Sequence, residues 1–467
     1  MDEPNRSSTE PTTAAAPRTL AFLALRAVQR GAFADVALDR ALHPGGLSAP
    51  DRRLVTELVY GCVKRERTLD ALIDQLARKK THQQPPDLRA ILHLGFYQLR
   101  YLDHIPQAAA VDTTVELARQ QKFGGLTGVV NGLLRQYLRL AAGGADPLVL
   151  PQDPIARLGV LYSFPDWILE VWLELLGLSQ TEALCCWLNR TPHLDIRVNP
   201  LRATTEQVQA ALETAGLSAS ARVGLPQALR VEGREGLHPK RLSAVGPIPS
   251  LPGFTQGWWM VQDSSAQWVG HLLDPKPGEV VVDACAAPGG KALHLAELMG
   301  DEGTVWACDR SPARLKRLAH NAQRLGMHSL EVCVGDSRDL PQFKGQADRV
   351  LLDAPCSGLG TLHRHADARW RQTPDSVQEL AELQRTLLEE AASWVKATGT
   401  LVYATCTLHP AENERVIEDF LGRHPEWRVA VPELGAAVAA TPEGWVKIWP
   451  QQQDMDGFFM VRLQRNG

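Results

Sequence analysis

Glu279-Val-Val-Val-Asp-Ala-Cys-Ala-Ala-Pro-Gly-Gly-Lys291 runs from an apolar strand into a turn rich in glycine and proline. Four more short apolar stretches follow it: Gly303–Asp309, Leu330–Asp336, Ala347–Cys356 and Gly399–Thr407. Helical stretches separate them, such as Ser311–Met327 and Val377–Val395. Strand alternating with helix predicts a largely parallel, doubly wound sheet. Such sheets bind ligands outside the carboxyl ends of their strands, so the last residues of each strand are the informative ones. The first strand closes at Asp283 or the loop after it, the second at Asp309, the third at Asp336, the fourth at Asp353 and the fifth at Cys406. A single strand-end acid is commonly a cap or a turn. Three in succession at equivalent positions predict a lined cleft.

The turn Cys285-Ala-Ala-Pro-Gly-Gly-Lys291 lets backbone amides approach a ligand, because Gly289 and Gly290 carry no side chain. A helix starting near Lys291 would suit a carboxylate or phosphate at its N-terminus. Asp309 lies 19 residues past Gly290. That is close to the ~20-residue offset of a ribose-binding acid in nucleotide-binding folds. A cofactor containing a nucleoside follows. The turn has neither the Lys-Ser/Thr ending of a P-loop nor the G-x-G-x-x-G fingerprint, which argues against ATP hydrolysis and against NAD.

The eight cysteines include no C-x-x-C pair, so no metal site is expected. Cys285, Cys308 and Cys333 read as buried residues or passive pocket lining. Cys356 and Cys406 stand out, because each sits beside Pro, Gly or Thr at the end of a strand, the fourth and the fifth. If those strands are neighbours, their ends lie roughly 5 Å apart and both thiols face one cleft. A helix beginning near Pro410 would turn its positive end to Cys406 and favour the thiolate.

Upstream the periodicity changes. Val55, Leu58, Val59 and Cys62 stand at i, i+3, i+4 and i+7, with Ser48-Ala-Pro-Asp51 as the helix start. Leu88, Ile91, Leu92 and Gly95 mark a second helix, Val115, Leu117 and Ala118 a third, and Val129, Val130, Leu133 and Leu134 a fourth. A helical bundle over residues 18–140 follows. Ala141–Pro147 reads as a boundary. Residues 150–265 read as linker helices and a small α+β segment: a helix after Pro165, a strand, turn and helix from Asp195, and a strand turning into a helix from Gly257. Arg197 and Asn199 could touch RNA or hold a strand end in place.

Composition sets outer limits. The 467 residues suggest about two to four domains. No uncharged apolar run reaches the ~18 residues of a membrane span, and the polar, acidic N-terminus has no apolar signal core. It reads as a short disordered tail, and the chain as a cytoplasmic monomer with reduced thiols. The net charge is −4, which does not advertise a nucleic-acid binder. Residues 1–150 nonetheless carry 19 Lys and Arg against 15 Asp and Glu. Lys64, Arg65 and Arg67 form one basic group, and Arg78, Lys79 and Lys80 another. A charge run alone is as readily a solvated face as a phosphate contact.

Three segments, Asp51–Asp70, Leu88–Ala118 and Gly128–Arg135, resemble the NusB family, a helical RNA-binding domain, and this favours RNA contact by those basic residues. Residues 150–465 resemble the RNA 5-methylcytosine methyltransferases, through "DACAAPGGK", "DAPCSGLGTL", "YATCTLHPAENERVI" and "DGFFMVRL". With the NusB-like segment in front, the resemblance is to the bacterial members that act on 16S ribosomal RNA. It implies a Rossmann-like class I methyltransferase domain over 266–465, with S-adenosylmethionine as cofactor. Cys285, Ala286, Ala287, Pro288, Gly289, Gly290, Lys291 and Asp309 would hold its methionine and ribose ends, and Asp336 its adenine side. Asp353 would lie between cofactor and base, at the cytosine ring edge. Cys406 would be the nucleophile and Cys356 an aid to product release. Thr407 stands where many members have Ser, and His363 and His365 where an Arg-rich loop is common. Two alternatives stay open: a tRNA 5-methylcytosine methyltransferase of the same superfamily, and a non-catalytic RNA-binding or antitermination protein.

Overall fold

The computed structural model describes residues 16–43, 46–144, 146–233, 247–431, 434 and 437–466. Residues 1–15 of the expected N-terminal tail lie outside the described residues. The chain divides into two compact units. One holds residues up to Asn189 together with His365–Trp370; the other holds Arg190–Arg364 and the chain from Arg371 onward. Among the described residues no helix is long and apolar enough to cross a membrane.

The first unit is helical. Helix Ala49–Lys64 starts where the sequence marks it: the Ser48 hydroxyl accepts the Asp51 amide at 3.2 Å and donates to the Asp51 carboxylate at 2.6 Å. Its buried face carries Val55, Leu58, Val59 and Cys62. In helix Pro86–Tyr101 a Cβ at Gly95 would meet the side chains of Leu134 and Thr114 at 2.9 Å. The missing side chain lets helices Gln107–Gln120 and Thr127–Ala142 close onto this one. Val129 departs from expectation. Val130, Leu133, Leu134 and Tyr137 form the buried stripe of their helix, and Val129, one step of about 100° away, is exposed.

The two basic groups behave differently. Arg67 is used by the fold, donating to Phe164 O at 2.7 Å and to Asp166 at 2.6 Å, so it is not the RNA contact expected of it. Arg65 lies over the Tyr101 ring. Arg78, Lys79 and Lys80 are exposed. The hexapeptide His365–Trp370 packs into this helical unit. Asp367 accepts the Ala34 amide, Trp370 Nε1 donates to Val63 O, and the buried Arg369 donates to Ser163 O.

The second unit holds two sheets. The smaller comprises β1 (Leu194–Val198), β2 (Ser218–Arg222), β3 (Leu225–Glu232) and β4 (Trp259–Val261), all antiparallel, in the order β2-β3-β1-β4. Helix Thr205–Thr214 packs on it, capped by a reciprocal Thr204–Gln207 box. Arg197 on β1 is fully buried and binds Glu297 through two nitrogens, at 2.6 and 2.9 Å. Asn199 is buried too, donating to Leu325 O at 3.1 Å. Neither faces RNA. Both fasten the small sheet to helices of the larger layer, because a buried guanidinium or amide must find partners there.

The larger sheet comprises β5 (Val280–Asp283), β6 (Thr304–Asp309), β7 (Leu330–Val334), β8 (Ala347–Asp353), β9 (Val395–Thr405), β10 (Trp427–Val429), β11 (Val446–Ile448) and β12 (Phe458–Arg465). Its order is β10-β12-β9-β8-β5-β6-β7, with β11 also paired to β12. β5 to β9 are mutually parallel, and β12 runs antiparallel to β9. The three antiparallel strands go beyond the five read in the sequence. β5 has β6 on one side and β8 on the other, so its carboxyl end is the topological switch point, where a ligand cleft is expected in such sheets.

Two strand-end expectations and one helix start need correction. β7 stops at Val334, so Asp336 lies two residues beyond it. Cys356 lies in the loop three residues past β8 and does not end that strand. Pro410 opens only a three-residue 3₁₀ turn, and the next helix starts at Glu414, so no helix N-terminus serves Cys406.

Candidate active site

The glycine turn is fixed by its own backbone. Ala286 N donates to Cys308 O at 2.8 Å, tying the turn to β6, and Gly289 N donates to Ala286 O at 2.7 Å. Gly289 has φ 111°, and a Cβ there would lie 2.8 Å from Leu318 Cγ. Only glycine fits that position. Helix Gly290–Leu298 starts at once, and a Cβ at Gly290 would meet only Gln262 Nε2, in ordinary contact at 3.7 Å. The turn therefore presents bare backbone at a helix N-terminus.

Acids stand around it. Asp283 is fully buried; its Oδ1 accepts the Cys285 amide at 3.2 Å and its Oδ2 has no hydrogen-bond partner among the described residues. Burial first, and then the nearby Asp353 charge, push its carboxyl up to about 7. Asp309 is buried, accepts Ser311 N at 2.8 Å, and meets Arg314 at 3.2 Å. Arg314, which sequence reasoning passed over, also donates to Ala287 O and so braces the turn. Asp336 differs. It is half-buried and forked to Arg338 at 2.6 Å, which holds its carboxyl down at about 2.

At the other end of the cleft, β8 and β9 are parallel neighbours and their loops bring the two thiols together. Cys356 Sγ and Cys406 Sγ are 3.3 Å apart. Lys291, from the helix after the glycine turn, reaches across to Asp353 at 2.7 Å and lies over the Phe458 ring. Burial disfavours the ammonium, but the Asp353 carboxylate outweighs it and the Lys291 pKa rises. The hydrogen bond between the thiols lowers the pKa of Cys406, with help from Lys291 and against burial. The same bond, with burial, raises Cys356 well above its ordinary value. The two thiols therefore titrate as a pair, which carries one negative charge more readily than two.

The loop after Cys356 folds inward. His363, which stands where an Arg-rich loop is common, is 3% exposed and meets Asp456 at 3.1 Å. Arg364 bridges Asp456 at 3.0 Å and Asp263 at 2.8 Å. Glu412 was missed altogether. It is a fully buried carboxylate held by Ser357 and Gln384. Its only signal in the sequence is an acid six residues past Cys406.

Comparison with known proteins agrees with this architecture. The family model described as "16S rRNA methyltransferase RsmB/F" matches residues 270–464, the NusB family 15–139, and an RsmF/B-like ferredoxin-like domain 164–237. A probable ribosomal RNA small subunit methyltransferase B of Synechocystis is 49% identical over 455 residues, covering 96% of this chain and 99% of the relative. A counterpart in Bacillus subtilis is 32% identical, covering 94% and 96%. The crystal structure of PH0851 aligns with a TM-score of 0.79 at 28% identity, over 98% of this chain and all of that one.

Proposed function

The chain belongs to the ribosomal RNA small subunit methyltransferase B family, and from that premise we propose that it methylates C5 of one cytosine in 16S ribosomal RNA through a covalent bond between Cys406 and C6. It is an S-adenosylmethionine-dependent ribosomal RNA methyltransferase. The observation that carries the finer reading is the thiol pair 3.3 Å apart, with the Lys291–Asp353 pair beside it.

The cleft suits the cofactor. The bare Gly289-Gly290 backbone leaves room for a methionine carboxylate, and the orphaned Asp283 Oδ2 is a buried acceptor awaiting a donor. Asp309, at the end of β6, suits the ribose hydroxyls. Asp336, forked to Arg338 at the rim, suits the adenine side. When bound, S-adenosylmethionine supplies an electrophilic methyl group on a sulfonium.

The residues of the chain do the rest. C5 of cytosine is a poor nucleophile, and addition of the Cys406 thiolate at C6 breaks ring aromaticity and moves electron density to C5. A proton at N3, shared with Asp353, would neutralise the negative charge that develops in the ring. After methylation the C5 proton leaves to a base, the C5–C6 double bond re-forms, and the C6–S bond breaks to return the thiolate. Cys356, with its Sγ 3.3 Å from that of Cys406, would assist that release. Attack on the ring face requires an unpaired or flipped-out base. The exposed Arg78, Lys79 and Lys80 suit phosphate contacts in the helical unit.

Bisulfite sequencing of ribosomal and transfer RNA from cells with and without this gene tests the reading. One protected cytosine in 16S RNA should become convertible when the gene is lost. Loss of protection in a tRNA, or in no RNA, would overturn it.

A further inference from the structure

Glu412 is buried completely, and every hydrogen bond to its carboxylate comes from a neutral donor. Burying a carboxylate without a cation is costly, and packing alone would be served better by a Leu or Met of similar volume. What the carboxylate touches explains its presence. Ser357 N donates to Oε1 at 2.8 Å, and the Ser357 hydroxyl donates to Oε2. Gln384 Nε2 donates to Oε1 at 3.0 Å and also to Pro355 O at 2.8 Å. The residues on both sides of Cys356 are therefore tied to one acid. The Ser357 hydroxyl also lies 2.8 Å from that of Thr407, the residue after Cys406. Glu412 itself is held from behind, where Tyr403 OH on β9 donates to its carbonyl.

We propose that Glu412 is a positioning residue which, through Ser357 and Gln384, fixes the Cys356 loop against the Cys406 loop and so keeps the two thiols in register for product release. This rests on the reading of Cys356 given above. Glu412 touches neither substrate nor cofactor. Its loss should spare attack by Cys406 and slow release.

The test uses the full chain with a 16S RNA fragment and S-adenosylmethionine. Glu412→Ala should bind the cofactor with unchanged affinity, methylate, and release product at least tenfold more slowly. A protein–RNA band that resists reduction and disappears with ribonuclease should accumulate on a denaturing gel. Glu412→Gln keeps one acceptor and should fall between Glu412→Ala and the parent. Ser357→Ala serves if Glu412→Ala does not fold. Release at the parent rate, without a band, in folded variants would overturn the proposal.

A second readout separates this idea from the covalent mechanism. Diamide should oxidise Cys356 and Cys406 to a disulfide, followed by peptide mass spectrometry. Glu412→Ala should form that disulfide at least tenfold more slowly, even if Cys356→Ala gives no band and the role of Cys356 in release fails. An unchanged rate would mean that Glu412 does not position the pair.

Discussion

The two ends of the cleft are built on different plans. At the end proposed for the cofactor, Asp283, the glycine turn and Asp309 come from one continuous stretch, residues 279–309, and the shape is set by backbone. At the thiol end, Lys291, Asp353, Cys356, Cys406 and Glu412 arrive from separate segments and are joined largely through side chains. A site made of backbone tolerates the loss of a side chain with a drop in affinity. A site made of side chains loses one step of its chemistry with each of them. Substitutions at the first end should therefore move binding, and those at the second should move turnover.

The largest effect expected is at Cys406. Cys406→Ala should abolish methyl transfer and any covalent RNA adduct, while cofactor affinity by calorimetry stays at the parent value. Full activity in this variant would remove covalent catalysis by that thiol. Cys356→Ala sharpens the contrast within the same end: attack and methylation should proceed, and the enzyme should stall with RNA attached to Cys406. A band in Cys406→Ala and none in Cys356→Ala would mean the roles are reversed.

Asp283 tests whether the cofactor end is a preformed acceptor. Its carboxyl is raised to about 7 from an ordinary 3.8, chiefly by burial. The folded state then holds this proton more tightly than the unfolded state. The stabilisation is complete below the ordinary value and is lost as pH rises through about 7. Asp283→Asn mimics the neutral acid at every pH. It should match the parent near pH 4 and exceed it near pH 8 by up to ~4 kcal/mol, at about 1.4 kcal/mol per unit. Urea unfolding at the two pH values, without cofactor, reads the difference directly. An equal difference at both would mean that Asp283 is ionised throughout.

The same contrast governs what could be read in the sequence. The glycine turn, Asp309 and the parallel strands were legible, because local periodicity and turn chemistry specify them. Asp336 and Cys356 were displaced from their expected strand ends because strand length is decided by pairing with the neighbour, which the sequence does not print. Pro410 reads as a helix start, yet the chain makes one 3₁₀ turn there and aims Glu412 at the next loop. Arg197 and Asn199 are polar in a strand, and only the fold shows that Glu297 and Leu325 O take them up. Glu412 was invisible, since its role exists only once loops from Ser357, Gln384 and Thr407 converge.

The smallest effect argued concerns Asp309. It ends β6 and is 6% exposed, with Ser311 N and Arg314 already on its oxygens. A carboxylate has about four acceptor sites, so two ribose hydroxyls can still be accommodated. Asp309→Ala removes charge-assisted bonds worth roughly 1.5–3 kcal/mol each. Affinity for S-adenosylmethionine should fall roughly tenfold or more, since about 1.4 kcal/mol is a factor of ten. Turnover at saturating cofactor should change much less, the opposite of what is expected at the thiols. Arg314→Ala is the control, because it frees one Asp309 oxygen and unbraces the turn at Ala287 while leaving the acid in place. If Arg314→Ala weakens binding as much as Asp309→Ala, the acid acts by holding the turn. If only Asp309→Ala weakens binding, the acid meets the ribose. Calorimetry showing parent affinity in a folded Asp309→Ala variant would remove the assignment, and with it the claim that this end of the cleft is the one that binds.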